Sequence, residues 1–157
     1  MKRMVAAFAM LLLCITGMAQ TEASRTKKNP DVICGVYLVS SPKNDVDKIK
    51  VRITRTSKGL YQGRIVWVYP DKNPDGTERT DQNNPDKSLR NRKATDIVMC
   101  WNLKYVDGAW EDGILYDPTS GKRYNIQFSL ASNGKDLVAR YYKGRPAFGI
   151  NQQWTRQ

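Results

Sequence analysis

Residues 71–82 carry the side chains whose types and spacing most resemble a chemical site, because they begin like a calcium-binding loop. The first, third, fifth and sixth positions of the segment are Asp71, Asn73, Asp75 and Gly76. An EF-hand loop needs a bidentate glutamate at its twelfth position, where this chain has Gln82. The Asn-Pro-Asp tripeptides at 73–75 and 84–86 instead favour turns stabilised by Asx side chains. The sequence therefore predicts turns here and no metal site.

The chain contains no histidine, and this limits the catalytic chemistry open to it. Ser-His and Cys-His catalysis are excluded, and so is the commonest protein ligand of zinc and copper. Neither a nucleophile elbow nor a phosphate-binding loop is found. Acid–base work would fall to carboxylates such as Glu111, Asp112 and Asp117, which lie near aromatic residues. The sequence therefore predicts neither an enzyme nor a cofactor, with a carboxylate-dependent enzyme as the weaker alternative.

A loop between two predicted strands, at 70–94, holds the basic cluster KSLRNRK and several polar side chains. Its candidate ligand-binding residues are Arg90 and Arg92, and its candidate structural residues are Asp81, Asn84, Pro85 and Asp86. The two arginines could hold a carboxylate or phosphate through paired hydrogen bonds. Alternatively, they pair with Asp81, Asp86 and loop carbonyls and fix a long connection in place. Both interpretations remain open on the sequence alone.

Large aromatic side chains are the second group of candidate binding residues. They are Trp67, Trp110, Tyr116, Tyr142 and Trp154. Such rings could line a small-molecule pocket, since these pockets are mostly apolar with a few placed polar groups. They could equally fill the core, where aromatic rings stack in layers. For a pocket wall, the predicted residues are Trp67, Tyr116 and Trp154.

Short alternating runs separated by turn residues are the elements that must position these side chains. Eight strands are predicted, at 32–39, 48–54, 61–69, 95–103, 109–116, 122–130, 135–142 and 148–156. In the second, Ile49, Val51 and Ile53 share one face; in the third, Tyr61, Gly63, Ile65 and Trp67 do. In the sixth, Tyr124, Ile126, Phe128 and Leu130 point inward. Asp107-Gly108 is a hairpin signal.

The strand count and the short connections predict an all-β fold, an antiparallel up-and-down β-barrel of about eight strands. Closure removes the sheet edges that an exposed aromatic-rich sheet would otherwise present. A β-sandwich is the structural alternative. A barrel of this size is either filled by its own side chains or able to hold one small ligand.

The first nineteen residues have the pattern of a secretory signal peptide. Lys2 and Arg3 precede an apolar run from Val5 to Ile15, and small residues lead to a cleavage site after Ala19. The run is too short for a membrane span. We expect a signal peptide at 1–19, a flexible lead-in at 20–30 and a barrel domain at 31–157, in a protein exported to the periplasm or secreted. Cleavage would lower the net charge from +11 to +9.

Two cysteines, Cys34 and Cys100, remain after that cleavage. An oxidising compartment permits a disulfide between them. Both lie in apolar runs, where a free cysteine behaves as a small buried hydrophobe. A disulfide and two free thiols are therefore both open.

Glycines, aromatics and arginines recur with a combined spacing over nearly all of the mature chain. The motifs are YxGxIxW from Tyr61, DxxNPDxxLRxR from Asp81, WxxGxLYDPxxGKxY from Trp110, RxYxG from Arg140 and GxxxxWxR from Gly149. Together they resemble a bacterial exported family known as domain of unknown function 2147, which is similar to lipocalin-like (calycin) barrels. Such barrels commonly begin with Gly-x-Trp, whereas this chain has Tyr37 in the tryptophan position. We expect Tyr37 to stack on Arg156 through a cation–π contact.

The family resemblance implies a fold and brings no established activity. We expect non-enzymatic binding of a small apolar or amphipathic ligand or lipid, with Trp67, Tyr116 and Trp154 as walls and Arg90 and Arg92 facing an acidic headgroup. The alternative is an envelope interaction module with a solid core, which binds protein or an anionic envelope component through its basic surface and the 70–94 loop. No specific nucleic-acid partner and no transmembrane segment after cleavage are predicted.

Overall fold

The computed structural model describes residues 29–41 and 46–157 as a closed antiparallel β-barrel. Its eight strands are β1 (Gly35–Ser40), β2 (Lys48–Arg55), β3 (Tyr61–Tyr69), β4 (Val98–Val106), β5 (Ala109–Asp117), β6 (Lys122–Leu130), β7 (Leu137–Tyr142) and β8 (Ile150–Arg156). Each strand pairs with the next, and β8 pairs with β1 to complete the barrel. The predicted up-and-down barrel is thereby confirmed, and the sandwich is excluded.

Short 3₁₀ helices are the only helices in the described part of the chain. They lie at Pro30–Ile33, Lys87–Leu89, Ala94–Asp96 and Pro146–Phe148. None of the helices within 29–41 and 46–157 is long and apolar enough to cross a membrane. The predicted signal peptide at 1–19 and most of the predicted lead-in at 20–30 lie outside the described residues.

Alternation along the strands places the apolar side chains inside the barrel. In β2, Val51 and Ile53 are buried while Arg52 between them is exposed. In β6, Ile126 and Phe128 are buried in the same way. Between β4 and β5, Asp107 and Gly108 both have positive φ, which is the backbone of a two-residue turn that matches the twist of the strands.

The two ends of the barrel differ. The closed end carries the β2–β3, β4–β5 and β6–β7 turns together with the segment before β1 and the end of β8. The open end carries the β1–β2, β3–β4, β5–β6 and β7–β8 loops. This asymmetry positions the candidate site.

Large buried rings fill the closed end. They are Tyr37, Tyr61, Trp110, Phe128 and Trp154. Trp110 donates its indole hydrogen to the Pro30 carbonyl at 3.1 Å, which fixes the 3₁₀ helix beneath the barrel. The rings of Phe128 and Trp154 meet edge to face at 4.9 Å between centroids.

Arg156, near the end of β8, completes this closure. Its guanidinium carbon lies 5.5 Å from the centroid of the Tyr37 ring, so the predicted cation–π contact is confirmed. The same group donates to the Val32 and Cys34 carbonyls, both at 2.8 Å, and to the Tyr37 hydroxyl at 2.9 Å. One side chain thereby ties the last strand to the first strand and to the residues before it.

A register shift in β3 changes the direction in which Trp67 points. Val51 pairs with Ile65, but the preceding residue Lys50 pairs with Trp67, so Val66 is an extra residue in the ladder. The predicted inward alternation therefore fails after Ile65. Trp67 is 39% exposed, on the outer surface, with Lys50 above its ring.

The long β3–β4 loop is folded into turns, as its sequence predicts. Asn73 donates to the Thr77 hydroxyl at 3.0 Å, and Asp75 accepts from the Thr77 amide at 3.0 Å. Backbone bridges join Lys72 to Glu78 and Thr80 to Lys93, which close the loop on itself. These contacts confirm the turn interpretation of the segment that begins like a calcium loop.

Candidate functional site: a cavity at the open end

A cavity of about 480 Å³ lies at the open end, between the strands and the long β3–β4 loop. Its apolar lining consists of Val39, Ile49, Ile65, Val68, Ala94, Ile97, Leu115, Tyr124 and Tyr141. Its polar lining includes Ser40, Asp47, Lys48, Asn73, Arg79, Gln82, Asn83, Asp117, Thr119 and Gln152. Ile65 and Ile97 are fully buried, whereas most polar residues come from the loops. The cavity therefore has an apolar floor and a polar rim.

Inward positions near the open ends of neighbouring strands build the apolar walls. Ile49 of β2 is directly opposite Val68 of β3, and Leu115 of β5 is directly opposite Tyr124 of β6. The Tyr124 and Tyr141 rings pack edge to face at 6.4 Å between centroids. The fully buried rings of the core are gathered at the closed end, and the side chains at the open end leave a hollow between them.

A hydrogen-bonded chain forms one polar side of the cavity. Tyr141 donates its hydroxyl hydrogen to Gln152 Oε1 at 3.1 Å, and Gln152 Nε2 donates to the Ser40 carbonyl. Burial raises the pKa of the Tyr141 hydroxyl, and the nearby Asp117 carboxylate and Tyr124 add to that shift. Tyr141 therefore stays neutral, and its oxygen keeps acceptor capacity for a group in the cavity.

An ion pair lies at the rim of the cavity. Arg79 Nη1 lies 3.2 Å from Asp47 Oδ1 and also donates to the Pro70 carbonyl at 3.2 Å. Both side chains are partly exposed, so the pair contributes little to stability. It joins the residue before β2 to the long loop at the rim of the cavity.

Asp81 attaches the long loop to the barrel wall. This carboxylate is fully buried and accepts from Tyr116 at 2.6 Å and from Asn84 at 2.7 Å, while Arg92 pairs with it. Burial, followed by the hydrogen bond to Asp81, raises the pKa of the Tyr116 hydroxyl well above its usual range. Tyr116 thus remains a donor to Asp81 at all physiological pH values.

The neighbouring loop residues have structural roles as well. Arg90 Nε donates to the Asn84 carbonyl at 2.8 Å. Asp86 accepts from the Ser88 amide at 2.9 Å and from the Ser88 hydroxyl at 2.7 Å, and these hydrogen bonds lower the pKa of its carboxyl group. Pro85 lies in the turn between Asn84 and Asp86, whose amide bonds the Asn84 side chain at 2.9 Å. These side chains bond within the loop or to the barrel wall, and Asp86 bonds Ser88 rather than an arginine.

None of the five residues predicted to bind a ligand lies on the cavity wall. Trp67 is outside the barrel, Tyr116 bonds Asp81, and Trp154 packs in the closed end. Arg90 and Arg92 bond the loop itself. Contact between these side chains and a ligand stays a prediction, and the position of the cavity does not favour it.

The residues that line the cavity were identified only in part by sequence reasoning. Alternation already placed Ile49 and Tyr124 inward, and their positions at the open ends of β2 and β6 were available from the strand order. Val68 was missed because the extra residue Val66 reverses the alternation before it. Gln152 and Arg79 carry no sequence signal of this role.

The predicted alternative of a disulfide between Cys34 and Cys100 is not realised, since both are free thiols. Cys34 precedes β1 at the closed end, and its carbonyl accepts a hydrogen bond from Arg156. Cys100 points into the interior beside Gly63, and burial raises its pKa to about 12. A thiol in that environment is inert.

Comparison with known proteins identifies the family. The family model described as an uncharacterized protein conserved in bacteria (DUF2147) matches residues 35–156. The chain belongs to this family. The matched range extends from the first residue of β1 to the last residue of β8, so DUF2147 corresponds here to the whole barrel.

A solved structure supports the fold of this DUF2147 protein. It is similar to a structure described as protein HP1028 from the human pathogen Helicobacter pylori, which belongs to the lipocalin family. The two share 23% sequence identity with a TM-score of 0.65, over 79% of this chain and 82% of the other. Comparison with curated proteins found no match. The lipocalin-like barrel is therefore established.

Proposed function

We propose that this protein binds one small amphipathic molecule in the cavity at the open end, without chemical change. The observation that carries the proposal is the cavity itself, whose volume of about 480 Å³ lies within the range of small-molecule sites. An apolar floor with a polar rim suits a ligand that has an apolar body and a polar end. A lipocalin-like barrel is also a fold that commonly holds a small ligand.

The side chains favour a particular orientation of the ligand. Its apolar body would pack against Ile49, Ile65 and Ile97, where burial of apolar surface supplies the binding free energy. Its polar end would lie at the rim near Lys48 and Arg79, which favour an acidic group.

Two of the candidate catalytic carboxylates, Asp112 and Asp117, are bonded to other side chains, which favours binding over catalysis. Asp117 accepts from the Thr119 hydroxyl at 2.7 Å and from the Ser120 hydroxyl at 2.6 Å, so it caps a turn. Asp112 pairs with Lys104 on the surface.

The alternative of a solid-core interaction module is less well supported, because it assumes a filled interior and the barrel has a cavity at its open end.

We also propose that the protein acts outside the cytoplasm, because residues 1–19 have the pattern of a signal peptide. Native mass spectrometry of the purified protein tests both ideas. We expect a bound mass that leaves on unfolding and a polypeptide that begins at Gln20. A bare polypeptide with an intact N-terminus would contradict both.

A cavity-filling variant tests the site directly. Val68→Trp places an indole in the cavity, and Val106→Trp, at an exposed position of the closed end, is the matched control. We expect Val68→Trp to weaken the binding of anilinonaphthalene sulfonate by about tenfold or more, with the control unchanged. Circular dichroism verifies that both variants fold. Equal binding by wild type and Val68→Trp would overturn the proposed site.

A further inference from the structure

Exposed apolar side chains are concentrated at the open end of the barrel. Among the described residues, the large hydrophobic side chains that are exposed there are Val46, Trp67, Tyr69, Leu89, Phe148 and Ile150, against Val32 and Val106 at the closed end. Phe148 is 81% exposed and Ile150 is 65% exposed. Exposed apolar side chains around one opening form a candidate interaction surface.

The β7–β8 loop, residues 143–149, is held in a fixed shape by Arg140 of β7. The Arg140 side chain donates to the Pro146 carbonyl at 2.7 Å, to the Ala147 carbonyl at 3.1 Å and to Asn151 Oδ1 at 2.8 Å. These hydrogen bonds hold the short 3₁₀ helix Pro146–Phe148 against the end of the strand. These hydrogen bonds therefore hold Phe148 in an exposed position.

The charges within this loop are of one sign. Lys143 and Arg145 lie in the loop, and the chain contains no acidic residue after Asp136. At the open end, Asp47 pairs with Arg79, whereas Asp117 accepts from the neutral Thr119 and Ser120 hydroxyls and keeps its charge. An apolar tip flanked by cations is complementary to an anionic surface with an apolar interior.

We infer that the open end docks on an anionic phospholipid bilayer, with Phe148 and Ile150 in the acyl boundary and Lys143 and Arg145 among the headgroups. Neither an apolar tip nor a pair of cations gives stable attachment alone, but the two signals together do. Docking in this orientation sets the cavity against the lipid surface. The inference rests on the outer surface of the loop and is independent of ligand binding in the cavity.

A second copy of the chain is a less suitable occupant of this surface. Two β7–β8 loops facing each other would bring Lys143 and Arg145 of both copies together, and like charges there oppose association. A bilayer of phosphatidylglycerol instead supplies the opposite charge.

Vesicle sedimentation tests the docking surface with the purified exported protein. We expect binding to an equal mixture of phosphatidylcholine and phosphatidylglycerol, and little binding to phosphatidylcholine alone. The double variant Phe148→Ser/Ile150→Ser should weaken binding by about tenfold or more. The double variant Lys143→Gln/Arg145→Gln should weaken it by about fivefold for each charge removed. Val106→Ser, at the closed end, is the matched control and should bind like wild type.

Three results would overturn the inference. The first is equal binding by wild type and Phe148→Ser/Ile150→Ser; the second is an equal loss in Val106→Ser. The third is a wild-type dimer in light scattering that disappears in Phe148→Ser/Ile150→Ser, with no binding to vesicles. Binding of anilinonaphthalene sulfonate, measured without vesicles, separates this inference from the proposed function. Val68→Trp should bind the dye more weakly than wild type and should bind vesicles as wild type does.

Discussion

Asp81 is the residue on which the attachment of the long loop depends most. A fully buried carboxylate is costly to desolvate, and it is tolerated here because Tyr116, Asn84 and Arg92 all bond it. Removing one partner from a buried ion pair leaves the other charge uncompensated, which is worse than never having had the pair. The aspartate therefore acts as the common acceptor for three groups from the loop and the wall.

Asp81→Ala should lower the free energy of unfolding by about 3–5 kcal/mol, because it leaves Arg92 without its buried partner. Tyr116→Phe removes one hydrogen bond and should cost about 1 kcal/mol. Urea unfolding followed by tryptophan fluorescence measures both. Asp71→Ala is the matched control, since that aspartate is exposed. A loss in Asp81→Ala no larger than that in Asp71→Ala would contradict the structural role.

At the residue scale, sequence reasoning identified the members of this cluster without choosing between two roles for them. Arg92 beside Asp81 is compatible with an anion site and with an internal pair, and the spacing is the same in both. The position of Tyr116 decides between these two roles, because its hydroxyl donates to Asp81, which is 35 residues away in the sequence. Such a contact depends on the closed barrel and has no local signature.

At the scale of elements, the β5–β6 turn and the long loop form one unit. Asn83 donates to the carbonyls of Pro118 and Thr119, at 3.4 and 2.9 Å, and the Asn83 carbonyl lies against Gly121. Gly121 has φ +68°, and a Cβ there would lie 2.0 Å from the Asn83 oxygen. The turn therefore requires glycine for two reasons, its backbone conformation and its closeness to the loop.

Gly121→Ala should destabilise the protein by about 2–4 kcal/mol, since it combines an unfavourable backbone conformation with a steric clash. Gly134→Ala is an informative control, because Gly134 has φ +66° and no atom near its Cβ position. The control should cost only about 1 kcal/mol. Thermal unfolding of the two variants gives the difference. Equal losses would show that the contact with Asn83 is unimportant.

The strands themselves were largely predictable. β3 and β6 have the predicted bounds, because turn residues border both runs. The first and fourth strands begin later than predicted, because Pro30–Ile33 and Ala94–Asp96 are 3₁₀ helices. The extra residue in β3 could not be predicted, because valine is common in regular strands. The register shift is visible only in the pairing of β3 with β2.

At the scale of the whole molecule, one end of the barrel is packed and the other end holds the cavity. The buried rings and Arg156 form the packed closed end, and the side chains at the open end leave the cavity between them. Up-and-down strand order already implied that Tyr37, Tyr61, Trp110, Phe128 and Trp154 share one end. The volume left at the other end was not predictable, because it depends on how the long loop packs over it.

Arg156→Ala should lower the free energy of unfolding by about 2–3 kcal/mol, because three hydrogen bonds and the contact with Tyr37 are lost together. Arg156→Lys should recover only part of this loss, since an ammonium group cannot reproduce the planar fork. Arg52→Ala, on the exposed outer face of β2, is the control. Full recovery by lysine would mean that charge alone closes the barrel.

The position of residues 29 and 157 at the same end of the barrel has a practical consequence. Pro30 lies under Trp110, and the Gln157 amide bonds the Val36 carbonyl, so both positions are on the far side from the cavity. A tag, a fluorescent fusion partner or a solid support attached at either position would leave the cavity facing outward. Immobilisation through this end would keep the cavity accessible, which is the arrangement that a surface-based test of the proposed ligand binding needs.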